Sequence, residues 1–199
     1  MNKLQRARLK VSLRNTWPFY VVSAVLVTIL INLFFNITHK APNYKTLTIF
    51  VSGEVTNSKK LKNDMLERFK ENDLKSFTTI SANPNDSVYN AKLTIPGYSS
   101  ADVLIIPSSK LTSLVVSDFA LELEESLISS FYQGYALYEK DSVKYGVKIN
   151  KDIVNDYMTL PSEECYMFLN GNSVNTGEYS PKQIKEHDNA LNLVKDWGM

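Results

Sequence analysis

The chain has 199 residues, with 22 Lys and Arg against 21 Asp and Glu, and a single cysteine, Cys165. One cysteine excludes an intramolecular disulfide, so the fold must be held by its own core. Five basic residues (Lys3, Arg6, Arg8, Lys10 and Arg14) precede an apolar stretch that every acidic residue follows, which leaves the later part at −4, 17 basic against 21 acidic; such a surface excludes binding to nucleic-acid phosphates.

No charge appears between Arg14 and His39, and Trp17–Ile37 reads WPFYVVSAVLVTILINLFFNI. About 20 apolar residues span a bilayer core as a helix, and Trp17 and Tyr20 stand where an interfacial aromatic belt belongs. A cleaved signal peptide would have a shorter apolar region ending in small residues. Here Thr38, His39 and Lys40 precede Ala41. The stretch reads as an uncleaved anchor in the lipid bilayer, and the basic flank orients it with the N-terminus in the cytoplasm. The expected organisation is a cytoplasmic basic tail (1–16), a transmembrane helix (17–37), a linker (38–46) and one extracytoplasmic α/β domain (47–199). That makes a single-pass protein of the cell membrane.

Past the linker, TLTIFV (46–51) is β-branched and aromatic, a strand. Ser58 reads as the N-cap of a helix to about Asn72, with Leu61, Met65, Leu66 and Phe69 on one face. FTTISA (77–82) alternates as a strand, and Val88–Leu93 makes a short helix. DVLIIP (102–107) is a continuous apolar run, the pattern of a strand buried on both faces as in a parallel sheet; Ser108 or Ser109 then caps a short helix. FALELEESL (119–127) fits helix or extended chain equally. YALYEKDSVKYGVKI (135–149) reads as a hairpin about Lys-Asp-Ser, and CYMFLN (165–170) as another strand. Ser180-Pro181 opens a last helix to Trp197 with Ile184, Leu191 and Val194 on its apolar face. Strands and helices that alternate in this way predict a mostly parallel sheet.

Four segments resemble one lobe of the type 2 extracellular solute-binding proteins, the sugar-binding components of ABC importers. They are TLTIFVSG, YSSADVLIIPSSKL, YALYEKDSVKYGVKIN, and CYMFLNGNSVNTG leading into DNALNLVKDW. The resemblance spans most of residues 45–197 and implies an α/β lobe of that kind, standing without the second lobe that closes on ligand in the family.

Ligands of open α/β sheets bind beyond the carboxyl ends of the strands. Three segments are expected there: Ser52, Glu54 and Asn57; Ser108 and Ser109; and Asn170, Asn172 and Ser173. Their neutral hydrogen-bonding groups suit a sugar-like polyol, and Tyr89 or Tyr98 would offer a stacking face. The same serines serve equally as helix caps and the glycines as turn residues. His39 and His187 have no activating Ser or Cys context, no G-x-S-x-G occurs, and no His/Cys cluster has metal-ligand spacing. The sequence therefore points away from an enzyme and from any metal or cofactor. Two functions remain: a tethered interaction module that docks on a membrane partner such as an ABC permease, and a binding protein for a small polar solute.

Overall fold

The computed structural model describes residues 3–38, 41–181, 183 and 187–198. Two compact units divide at Lys40. The first is helix α1 (Lys3–Thr38). Its basic start continues the same helix as its apolar part, as Leu, Gln, Arg and Lys, all strong helix formers, allow. Thr16–Phe35 is long and apolar enough to cross a membrane, and none of it is buried.

The second unit opens with a 3₁₀ turn at Asn43–Lys45, then β1 (Thr46–Ser52), β2 (Glu54–Val55), α2 (Ser58–Arg68) and β3 (Ser76–Ala82). The cap of α2 is Asn57, whose side chain accepts from Lys60 N–H at 3.2 Å. Ser58, the expected cap, is the first helical residue. Helix α3 (Tyr89–Lys92) passes through a wide turn at Leu93–Gly97 into α4 (Tyr98–Ser100), and β4 (Val103–Pro107) and α5 (Ser108–Leu111) follow. The ambiguous segment divides: Ala120 bridges Asn170 in extended form, and α6 (Glu125–Phe131) starts five residues later. Strands β5 (Leu137–Lys140) and β6 (Val143–Lys148) form the expected hairpin, turning on Asp141 and Ser142 with φ of 53° and 64°. Helix α7 (Lys151–Val154), β7 (Met158–Thr159), β8 (Cys165–Leu169) and α8 (Asn189–Trp197) complete the unit.

The main sheet has the order β3-β1-β4-β8-β6-β5, and β2 pairs separately with β7. β3, β1 and β4 are mutually parallel, whereas β8 runs antiparallel to both β4 and β6, and β6 antiparallel to β5. The sheet is thus mixed, not mostly parallel. The expectation failed because a strand buried on both faces is apolar throughout whichever way its neighbour runs. β4 shows the two-sided burial directly: Val103 and Ile105 join the core against α2, α6 and α8, and Leu104 and Ile106 join the core under residues 89–101 and 111–120.

The last helix is also corrected. It begins at Asn189, after Ser180 in extended backbone and Gln183 at φ 50°. Ser180 joins two turns, donating to the Gly177 carbonyl and accepting from Gln183 N–H; among the described residues no helix starts at Ser180-Pro181, and Ile184 lies outside them. Leu191 and Val194 do face the core, with Leu193 and Trp197. His187 precedes the helix, stacked on Tyr44 with ring centroids 4.1 Å apart.

Candidate functional site

A cleft of about 310 Å³ opens where β1, β3 and β4 end. Gly53 and Glu54 enter it from the end of β1, Asn83 and Asn85 from the turn after β3, and Ser109 and Lys110 from the turn after β4. Its remaining wall is a strap, residues 159–163, that contributes Thr159, Leu160, Pro161 and Glu163. Three devices hold the strap. The β2–β7 pair joins Glu54 to Thr159, and the Lys151 ammonium donates to the carbonyls of Pro161 and Glu163. The third is Glu163 itself. Gly53 is required by this approach, since a Cβ there would overlap the Thr159 carbonyl oxygen.

The Glu163 carboxylate takes the donors expected to hold a solute. Its Oε2 accepts from Ser108 Oγ at 2.8 Å and Ser109 N–H at 2.6 Å, and its Oε1 accepts from Ser109 Oγ at 2.7 Å. The Ser109 hydroxyl foremost, with the Ser108 hydroxyl, the Ser109 amide and the Lys151 charge adding to it, holds the carboxyl below the ordinary glutamate range, and together they outweigh the desolvation that opposes them. Neither serine caps α5 with its side chain; the carboxylate and the Glu164 carbonyl, which accepts from Ser108 N–H at 2.8 Å, meet that turn's donors instead.

The other expected residues divide by location. Ser52 is fully buried and shares a 2.7 Å hydrogen bond with the hydroxyl of Tyr89, itself buried. Tyr89 therefore offers no open stacking face; the Lys110 ammonium lies 5.4 Å from its ring centroid. Asn57 is spent on its cap. Tyr98 stacks on Phe119 at 4.4 Å, and burial pushes its phenol up to about 12; it does not border the cleft.

Asn170, Asn172 and Ser173 are at the other end of the sheet. β8 runs antiparallel to β4, so its carboxyl end lies beside the start of β4, where Asp102 stands. There the Asn170 amide donates to the carbonyls of Ala101 (2.7 Å) and Tyr98 (2.8 Å), and its oxygen accepts from Asn172 N–H (2.9 Å). Asp102, 8% exposed, accepts from Thr48 N–H at 2.8 Å, Ser173 Oγ at 2.6 Å and the Asn175 amide at 3.0 Å. Asn175 also donates to the Thr46 carbonyl at 2.9 Å. Burial pushes the Asp102 pKa upward, and these donors oppose it. The network ties β1, β4 and the loop after β8 together, and it is a structural lock facing away from the cleft. Sequence reasoning missed Glu163 and Asn83 as cleft residues and Lys151 as an anchor of the strap. The Glu163-Glu164 pair reads as solvated surface until the strap is seen to fold back on Ser108.

No family model matches the chain, and no curated protein matches it. Among solved structures, an ABC substrate-binding protein from Listeria monocytogenes in complex with cycloalternan is 16% identical, over 56% of this chain and 32% of that one, with a TM-score of 0.34. The chain therefore spans about a third of the length of that protein. At this TM-score the likeness assigns no role to any residue described above.

Proposed function

We propose that the chain is a membrane-tethered extracytoplasmic interaction module whose α/β domain, resembling in its sequence one lobe of a solute-binding protein, docks on a membrane partner such as an ABC permease. In this reading residues 1–16 are cytoplasmic, 17–37 span the bilayer, 38–46 are a linker and 47–199 lie outside. The unburied apolar segment Thr16–Phe35 behind its basic flank supports the tether. The choice of docking over solute capture is carried by one observation: the serine hydroxyls at the end of β4 are engaged by the chain's own Glu163. Catalysis forms no part of this reading. Exposed Val88, Ile95 and Val115, at 50%, 71% and 60%, stand on the segments that cover the Leu104–Ile106 face and would supply apolar contact.

A second reading, the binding of a small sugar-like solute, is favoured by the cleft. It has the volume of a small ligand site, and Glu54, Asn83, Asn85, Lys110 and Thr159 remain at its wall. One pair of experiments separates the two. Full chain purified in mild detergent should bring a permease subunit with it, and Ile95→Glu should release that subunit without lowering the melting temperature. Melting against a panel of oligosaccharides should be flat under the first reading and rise with ligand under the second, by mass action. A rise that Asn83→Ala abolishes, with no permease retained, overturns docking.

A further inference from the structure

The two edges of the main sheet are built differently. The β5 edge is four residues long, carries Glu139 and Lys140, and is broken by a register shift at Tyr138/Glu139. Shortness, charge and bulges are what keep a free edge from pairing with other chains. The β3 edge has none of these. Ser76–Ala82 runs seven residues without charge, proline or any break in its register with β1, and among the described residues no strand lies on its far side.

One hydrogen bond fixes which backbone groups face outward. Gly53 N–H donates across the β1–β3 pair to the Ala82 carbonyl at 3.0 Å, so Ala82 turns its polar groups toward β1. Residues alternate in this respect along a strand. Ser76, Thr78 and Ile80 therefore also serve β1, and the N–H and C=O groups of Phe77, Thr79 and Ser81 point away from it.

We propose that a second copy of this chain adds to the β3 edge, antiparallel, about a two-fold axis at Thr79, and joins two six-stranded sheets into one. In that register Thr79 faces Thr79 and Phe77 faces Ser81, and each pair exchanges two N–H···O bonds. The outward groups are symmetric about Thr79, so the edge is its own complement, as an isologous contact requires. Uncharged side chains put no like charges opposite one another. Just before the strand, Lys75, its side chain 59% exposed, is ion-paired with Asp73, so its charge is met within its own chain and does not oppose the second copy. This inference is independent of what the domain docks on.

The test uses the full chain in detergent micelles. Light scattering should give twice the chain mass. Thr79→Cys should cross-link to itself under mild oxidation and Glu139→Cys, on the guarded edge, should not; native Cys165 is buried and stays silent. Thr79→Pro removes an N–H that points away from β1, a position where an edge strand tolerates proline, and should give a monomer with unchanged circular dichroism. If that variant unfolds, Ser81→Pro puts the same question one pair along. A monomeric parent overturns the proposal, as does a dimer that survives both prolines. A monomeric parent whose Thr79→Cys form cross-links to a different protein in cells gives the edge to another partner and equally overturns the second-copy assignment.

Discussion

Asp102 stands at the start of β4 with three donors around a carboxylate that is almost wholly out of water. Two effects oppose each other there. Desolvation favours the neutral acid and the donors favour the anion, and burial wins, since the pKa is raised. An acid whose pKa rises on folding holds its proton more readily folded than unfolded. Its stabilising contribution is therefore complete below the unfolded pKa and is lost as pH rises through the folded one. Asp102→Asn removes the titration and turns one amide N–H toward a donor. It should cost about 1–3 kcal/mol at neutral pH, as an unmet buried polar group does. Because the parent regains stability on protonation and the variant does not, the gap should widen as pH falls from the folded toward the unfolded pKa. Urea unfolding of residues 41–199 at several pH values measures it; a constant gap would show that Asp102 keeps an ordinary pKa. Glu163 has the opposite sign. Its pKa is depressed by Ser109 and Ser108, so its contribution is present above the unfolded pKa and lost as pH falls through the folded one.

Among the elements, β6 and β8 depend on one glycine. Gly146 pairs with Phe168, and a Cβ at 146 would stand 2.7 Å from the Phe168 ring. That ring is fully buried and wedged edge-on between Tyr138 at 5.6 Å and Phe119 at 5.8 Å. It has no room to give. Gly146→Ala should destabilise by about 1–3 kcal/mol, the cost of overpacking. Combined with Phe168→Leu it should cost less than the sum of the two changes, with a coupling of about 0.5–3 kcal/mol. Additive losses in a thermal-unfolding cycle would place the strain elsewhere. Element types were legible wherever one residue pattern fixes one geometry: β1, β4, the β5–β6 hairpin and α2 all stand where their periodicity puts them. Strand direction was not legible, because an interior strand such as CYMFL is apolar on both faces whether its neighbour runs with it or against it. The error carried into the site. With β8 taken as parallel, Asn170–Ser173 belonged with Ser108 and Ser109; with β8 antiparallel they belong with Asp102. The Glu163 contact was hidden for another reason, since it joins residues 54 and 55 positions apart and no local pattern announces a strap that returns.

For the whole molecule the asymmetry of charge matters most. The helical start of α1 carries only basic charge, the apolar stretch that follows is unburied, and the folded unit beyond it is mildly acidic. Lys and Arg next to a spanning helix stay on the cytoplasmic side, so the proposed function requires one orientation, with the α/β unit outside. The cysteine content makes this orientation simple to test. Cys165 is the chain's single thiol, it is buried, and burial pushes it up to about 11; a thiol of that kind is largely protonated and shielded at neutral pH, hence unreactive. The parent protein should accordingly take up no membrane-impermeant maleimide in intact cells. Ser129→Cys, on the exposed face of α6, should be labelled at once in intact cells. Ser12→Cys, in the basic flank, should be labelled only after the membrane is permeabilised. Labelling of Ser12→Cys in intact cells with Ser129→Cys protected would invert the topology. Loss of residue 12 from the mature protein would show that the apolar helix is cleaved and that the α/β unit is released.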